Sequence, residues 1–84
     1  MSESKQHRGI DDIARELERY VDVHPVAADT VDGIAKGWLA GPAPPPLRQV
    51  EAALDTLIRR GVLIRRLQPD GNWVYVRAAR DGTS

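Results

Sequence analysis

The chain has 84 residues, 42% of them hydrophobic and 29% charged, which is enough for one compact core and too few for two. Twelve basic and twelve acidic side chains cancel, a balance unlike that of a strongly basic nucleic-acid binder. Cysteine is absent, which excludes disulfides and cysteine-ligated zinc, and no apolar run reaches the ~20 residues of a membrane span, so we expect one cytoplasmic domain without a membrane partner.

The zero net charge conceals an uneven distribution along the chain. Residues 1–46 carry five basic and eight acidic side chains, whereas residues 47–84 carry seven arginines and four acids. The two parts therefore have formal net charges of −3 and +3. An asymmetry of this kind directs the C-terminal part toward an anionic partner.

The first element after a polar leader (residues 1–9), expected to be flexible, is a helix. Apolar residues recur at helical spacing from Ile10 onward. Asp11 and Asp12 stand near its start, where the helix dipole favours negative charge. We expect the helix to end before Pro25, because the residue that precedes a proline is pushed out of helical geometry.

A second helix is predicted after Asp29 and Thr30, which are both favoured N-cap residues. Gly33 and Gly37 weaken it by about 1 kcal/mol each relative to alanine. We therefore expect these glycines to allow another helix to approach closely. The proline-rich segment 41–46 should end the helix and form a stiff, extended connection.

The third helix has the clearest amphipathic pattern in the chain. Pro45 or Pro46 suits its first turn, where no amide hydrogen is needed, and Gly61 is a natural left-handed cap at its end. The apolar stripe that should face the core consists of Leu47, Val50, Ala53, Leu54, Leu57 and Ile58.

Two β-rich runs follow, and an Asp-Gly pair between them predicts a hairpin. With a two- or four-residue loop, one face of the hairpin would carry Leu63, Leu67, Val74, Val76 and Ala78. With a three-residue loop, one face would instead carry Leu63, Leu67, Trp73 and Tyr75. Both registers stay open at this point, because a slip of one residue exchanges the faces. Residues 79–84 are expected to be a flexible tail.

Residues 10–78, with three helices followed by a hairpin, resemble the winged-helix family of bacterial transcription regulators. The most specific stretch is VEAALDTLIRRGVL at positions 50–63, followed by a turn at Asp70-Gly71 and by Tyr75 in the returning strand. The resemblance implies an α+β fold in which a three-helix bundle precedes a C-terminal β-hairpin, the wing. It also implies a DNA-binding regulatory module that forms a homodimer, because one such unit contacts few base pairs.

Under this interpretation the partner is double-stranded DNA, and helix three is the recognition helix. Arg48 and Gln49 have the chemistry to read guanine and adenine edges, and arginines of the hairpin would bind phosphates. The candidate nucleic-acid-binding residues are Arg48, Gln49, Ala52, Arg59, Arg66 and Arg77. Glu51 and Asp55 on the same helix would repel phosphates.

The alternative is a winged-helix module that binds a larger protein partner and no DNA. The long proline-rich connection exceeds the usual 3–4-residue turn of a helix-turn-helix and favours this alternative. Trp73, Tyr75 and Trp38 are its candidate partner-binding residues, although Tyr75 and Trp38 also suit the core of so small a domain. Trp73 and Tyr75, with Arg66 and Arg77 opposite, could form an exposed aromatic and basic surface.

Catalysis is not expected from this sequence. Serine occurs only at positions 2, 4 and 84, outside the predicted folded region, and His7 and His24 have no second ligand at metal-binding spacing. No glycine-rich phosphate loop follows a strand. We therefore predict a protein that is not an enzyme and that uses no metal and no cofactor.

Overall fold

The computed structural model describes residues 9–41 and 43–78, and these form an α+β domain. Its three helices are α1 (Ile10–Val23), α2 (Val31–Gly37) and α3 (Leu47–Arg59). Its three strands are β1 (Ala28–Asp29), β2 (Leu63–Leu67) and β3 (Trp73–Arg77), which form an antiparallel sheet in the order β1-β3-β2. The predicted tail and all but the last residue of the predicted leader lie outside the described residues.

Helix α1 has the bounds that the apolar spacing predicts. The carbonyl of Gly9 accepts hydrogen bonds from the amides of Asp12 and Ile13, both at 3.1 Å, and closes the first turn. The helix ends at Val23, ahead of Pro25, as expected from the proline. One face of α1 is buried and consists of Ile13, Ala14, Leu17 and Val21.

Thr30 is the N-cap of α2, as predicted. The helix is shorter than expected, because it ends at Gly37, four residues before the proline-rich segment that was expected to end it. The Thr30 hydroxyl accepts a hydrogen bond from the amide of Gly33 at 3.2 Å. The expectation that Gly33 and Gly37 admit a neighbouring helix was wrong. A Cβ atom at Gly33 would collide with the carboxylate of Asp29, and one at Gly37 would meet no atom within 4 Å.

The expectation that Pro45 or Pro46 lies in the first turn of α3 was wrong. The helix begins at Leu47, and Pro46 is its N-cap. Its end matches the predicted left-handed cap, with Gly61 at φ 81°. The amide of Gly61 donates to Ile58 at 3.0 Å, and the amide of Val62 donates to Leu57 at 2.9 Å. This is the Schellman arrangement, which satisfies the last carbonyls of the helix and turns the chain into β2.

The hairpin has the three-residue loop. Leu67 pairs with Trp73, and the next rung is closed by the amide of Gln68, which donates to the carbonyl of Asn72 at 2.8 Å. Gly71 has φ 90°, a conformation that glycine adopts without a steric penalty. The two- and four-residue alternatives are therefore wrong, and the same face carries Leu63, Leu67, Trp73 and Tyr75.

Strand β1 was not predicted from the sequence. It pairs Ala28 with Val76 and Asp29 with Tyr75, so β3 becomes the central strand. A strand of two residues shows no alternation of apolar and polar positions, and the sequence therefore carries no period-two signal for it.

The core lies between the helices and one face of the sheet. All three helices contribute to it, and the hairpin contributes Leu63 and Tyr75. Eight larger side chains are fully buried: Ile13, Leu17, Ile34, Leu54, Leu57, Leu63, Val21 and Val50. Leu54 is thus a central member of this core.

Replacing Leu54 with alanine should lower the free energy of unfolding by about 2–5 kcal/mol, because it removes buried methyl groups and leaves a cavity. Leu67→Ala is the matched control, since Leu67 is 56% exposed and a surface substitution changes stability by about 0.5 kcal/mol or less. Urea unfolding followed by circular dichroism measures both values. Equal effects of the two substitutions would contradict the placement of Leu54 in the core.

The two glycines of α2 should respond in opposite ways to alanine. Gly33→Ala forces the Asp29 carboxylate away from the Thr30 amide, to which it is bonded at 2.9 Å, and should destabilise the fold by about 1 kcal/mol. Gly37→Ala meets open space and should stabilise it by about 0.5 kcal/mol through its better helix propensity. The midpoint of thermal unfolding, measured for both variants, tests this difference. Stabilisation by Gly33→Ala would show that the Asp29 carboxylate does not crowd position 33.

Candidate nucleic-acid and protein interface

The solvent-facing side of α3 carries charges of both signs. Arg48, Ala52, Asp55 and Arg59 follow one another at spacings of three or four residues and so lie along one stripe of the helix. The two arginines and Asp55 are exposed, Ala52 is half-buried, and exposed Glu51 lies beside the stripe. Two cations and two carboxylates therefore share this surface, which has no net charge.

The N-terminal end of α3 presents Arg48 more openly than Gln49. Arg48 is exposed, whereas Gln49 is half-buried. The two side chains that were expected to read bases together are therefore unequally available. Arg48 is the more accessible of the two.

The two adjacent arginines of β2 lie on opposite faces of the hairpin. Arg65 shares its face with Trp73, and its guanidinium carbon lies 4.6 Å from the centre of the Trp73 ring. Arg66 pairs in register with Val74 and points to the opposite face. A cation at this distance over a ring face is attracted by the ring quadrupole, so Arg65 has a defined position and Arg66 projects into solvent.

Arg77 does not join the other candidate arginines. It pairs with Leu63 at the base of the hairpin, three residues along β2 from Arg66, and it lies on the other face. That separation is about 10 Å along the strand. Its guanidinium lies 3.6 Å from the carboxylate of Asp22 on α1, and it is half-buried. Arg77 therefore connects the hairpin to α1.

Three of the candidate arginines are both exposed and without an ion pair within residues 9–41 and 43–78: Arg48, Arg59 and Arg66. By contrast, Arg60 lies 4.0 Å from Glu18, and Arg77 is paired with Asp22. We call the three unpaired side chains the free arginines. Arg65 is also exposed and has no ion pair within the described residues, but its guanidinium lies over the Trp73 ring.

The aromatic candidates differ in exposure. Trp38 is 6% exposed and stacks on Tyr20 with a centroid distance of 4.8 Å, and Tyr75 is 9% exposed within the core. Both rings complete the packing beside the helices, and little of either is accessible to a partner. Trp73 is 45% exposed and stands across the hairpin from Leu67, so it is the accessible member of the three.

An open pocket that the sequence does not predict lies between α1 and the end of α2. It has a volume of about 240 Å³ and is bordered by Tyr20, His24 and Trp38 among others. Glu16 on its rim accepts a hydrogen bond from the amide of Ala40 at 2.9 Å. The only sign of this pocket in the sequence is the four-residue spacing between Tyr20 on α1 and His24, the C-cap of α1.

Other chemistry has little basis in the described part of the chain. No group of three or more histidine, aspartate or glutamate side chains there is arranged to hold a metal ion. None of its helices combines the length and the apolar character that crossing a bilayer requires.

The exposure of Trp73 can be tested by fluorescence. Trp73→Phe should abolish most quenching of the emission by acrylamide, because the remaining Trp38 is buried against Tyr20. The emission maximum should also move to shorter wavelength. Quenching that persists undiminished in Trp73→Phe would show that Trp38 is accessible to solvent and is not covered by Tyr20.

Comparison of the chain with protein-family models, with curated proteins and with solved structures gave no match. The functional assignment therefore depends on the surfaces of α3 and the hairpin.

Proposed function

We propose that this chain is a winged-helix module that binds double-stranded DNA and acts in transcription regulation. The element order, with α3 as the recognition helix and the β2–β3 hairpin as the wing, supports the winged-helix interpretation. The proposal includes a homodimer in the cytoplasm, because a single unit of this size contacts few base pairs.

The observation that carries the proposal is the set of free arginines. Arg48 and Arg59 stand at the two ends of the exposed stripe of α3, eleven residues or about 16 Å apart along the helix. Arg66 extends the set to the hairpin. Carboxylates of α1 lie within 4.0 Å of Arg60 and Arg77 but of none of these three, so phosphates are the natural counter-charges of the free arginines.

The distribution of charge along the chain adds a long-range contribution. The part of the chain that contains α1 and α2 is negative and the part that contains α3 and the hairpin is positive, so the field orients the second part toward a polyanion. Glu51 and Asp55 lie between Arg48 and Arg59 and lower the affinity for phosphate. We therefore expect weak binding by one subunit, with a modest dependence on salt.

The decisive experiment compares two double variants that lose the same charge. With three phosphate contacts, the logarithm of the DNA affinity should fall with the logarithm of salt concentration with a slope of about −2.7. Arg48→Ala with Arg66→Ala should reduce the magnitude of that slope by about 2 and weaken binding at low salt. Fluorescence anisotropy of a labelled random duplex measures both quantities.

The matched control is Arg15→Ala with Arg19→Ala, which removes two exposed arginines from α1. We expect it to leave the slope nearly unchanged. If the two double variants weaken binding equally, only net charge matters and the proposed surface is wrong. If the unmodified protein binds no DNA at low salt, the function itself is wrong.

A second candidate function is a winged-helix module that binds protein and no DNA. The specific observation in its favour is the exposed hydrophobic pair Leu67 and Trp73 on the hairpin, 56% and 45% exposed, together with the zero net charge of the solvent-facing side of α3. DNA-binding surfaces seldom need such a pair, whereas the centres of protein interfaces are rich in aromatic side chains.

A further inference from the structure

Strand β2 forms one edge of the sheet, and no other strand of the described chain lies beside it. The strand order β1-β3-β2 places only β3 next to it. Leu63 is buried, but the four residues that follow it in β2 are all exposed. An edge of this length presents unpaired backbone groups to any extended chain that approaches it.

The register identifies which backbone groups face outward. The amide of Gln68 donates to Asn72, and that of Ala78 donates to Val62, so these rungs are hydrogen-bonded pairs. Hydrogen-bonded and non-bonded pairs alternate along an antiparallel ladder. Ile64 and Arg66 lie at two-residue steps from these rungs, so their backbone groups also bond to β3. The N–H and C=O groups at the intervening positions therefore point toward the free edge: those of Leu63, Arg65 and Leu67.

The side chains beside this edge are apolar at both ends and basic in the middle. Ile64 is 43% exposed and Leu67 is 56% exposed, and they lie on opposite faces. An additional strand would lie about 4.8 Å from β2 and would cover part of both. Arg65 and Arg66 stand between them, again one on each face.

The charge at this edge selects the kind of chain that fits. Strands β2 and β3 contain no acidic residue, Arg66 is a free arginine, and Arg65 has no ion pair within the described residues. We propose that β2 binds an extended segment of another protein as a fourth strand, and that this segment has the pattern apolar, acidic, acidic, apolar. In an antiparallel arrangement its two carboxylates lie opposite Arg66 and Arg65.

A second copy of this chain is a poor occupant of the same edge. Antiparallel pairing centred on Arg65 would put the two Arg65 side chains opposite each other, and pairing centred on Arg66 would put the two Arg66 side chains opposite each other. Like charges directly across a strand pair are destabilising, and charged edge strands are a usual barrier against self-association. The two arginines thus disfavour a second copy in the registers that pair them and favour an acidic strand.

The probe is a dye-labelled peptide, acetyl-STVEEVTS-amide, and its control is acetyl-STVKKVTS-amide with the same dye. The acidic peptide should bind, and the lysine peptide should bind at least about tenfold more weakly, because two attractive charge pairs become repulsive. Equal binding of the two peptides would overturn the proposal, and so would no binding of the acidic one. The assay contains no DNA, so its result is independent of the proposed DNA binding.

A pair of variants at one position tests whether the backbone is the binding element. Leu67→Pro removes an outward N–H and keeps the rungs between β2 and β3, because proline is tolerated at such positions of edge strands. Leu67→Ala loses the same side chain and keeps the N–H. The proline variant should bind the acidic peptide several-fold more weakly than the alanine variant, and equal affinities would contradict strand addition.

Two further measurements apply even if Leu67→Pro does not fold. Alternate amides of the peptide face β2, so N-methylation at one set of alternate positions should abolish binding and methylation at the other set should not. In NMR, the peptide should slow amide exchange at Arg65 and Leu67 more than at Arg66, whose amide is already bonded to β3. Equal effects of both methylated sets would overturn the proposal. Slow exchange at Arg65 and Leu67 without peptide would also overturn it, because another chain segment would then already occupy the edge.

Discussion

The structure depends on the burial of one stripe of α3 against α1. Val50, Ala53, Leu54 and Leu57 lose their contact with water by packing there, and a domain of this size has no disulfide to replace that contribution. Since α3 must turn this stripe inward, its opposite stripe must face solvent. The same packing therefore decides where the charges of both signs on α3 appear.

The turn after α3 transmits this constraint to the hairpin. Gly61 has a left-handed conformation, which ends α3 and turns the chain toward β2. Leu63, the first residue of β2, is fully buried in the core. Because side chains alternate along a strand, burial of Leu63 places Arg65 and Leu67 on the same face farther along. The core thus determines which arginine lies over Trp73 and which one stays free.

The two proposed binding properties use different features of one region. DNA binding depends on side-chain charge at Arg48, Arg59 and Arg66, and strand addition depends on the backbone of β2 and on its flanking side chains. Arg66 belongs to both, so an acidic protein segment would compete with phosphate for it. Arg60 and Arg77 differ from these arginines because each lies beside a carboxylate of α1.

The sequence by itself determined the local elements whose signals lie within a few residues. Helical spacing, Thr30, Pro25 and Gly61 placed the helix limits to within a residue or two, except for the end of α2, and Asp70-Gly71 placed the hairpin turn. These signals are reliable because caps, prolines and glycines act on the backbone next to them.

Only the tertiary structure decided what depends on distant residues. The register of the hairpin needed the core to select the face of Leu63, and β1 exists because β3 is there to pair with it. The crowding of Gly33 by Asp29 and the pairing of Arg77 with Asp22 likewise depend on how the folded backbone brings these groups together. The sequence could name the arginines, but which of them stay free is decided by carboxylates that are distant along the chain.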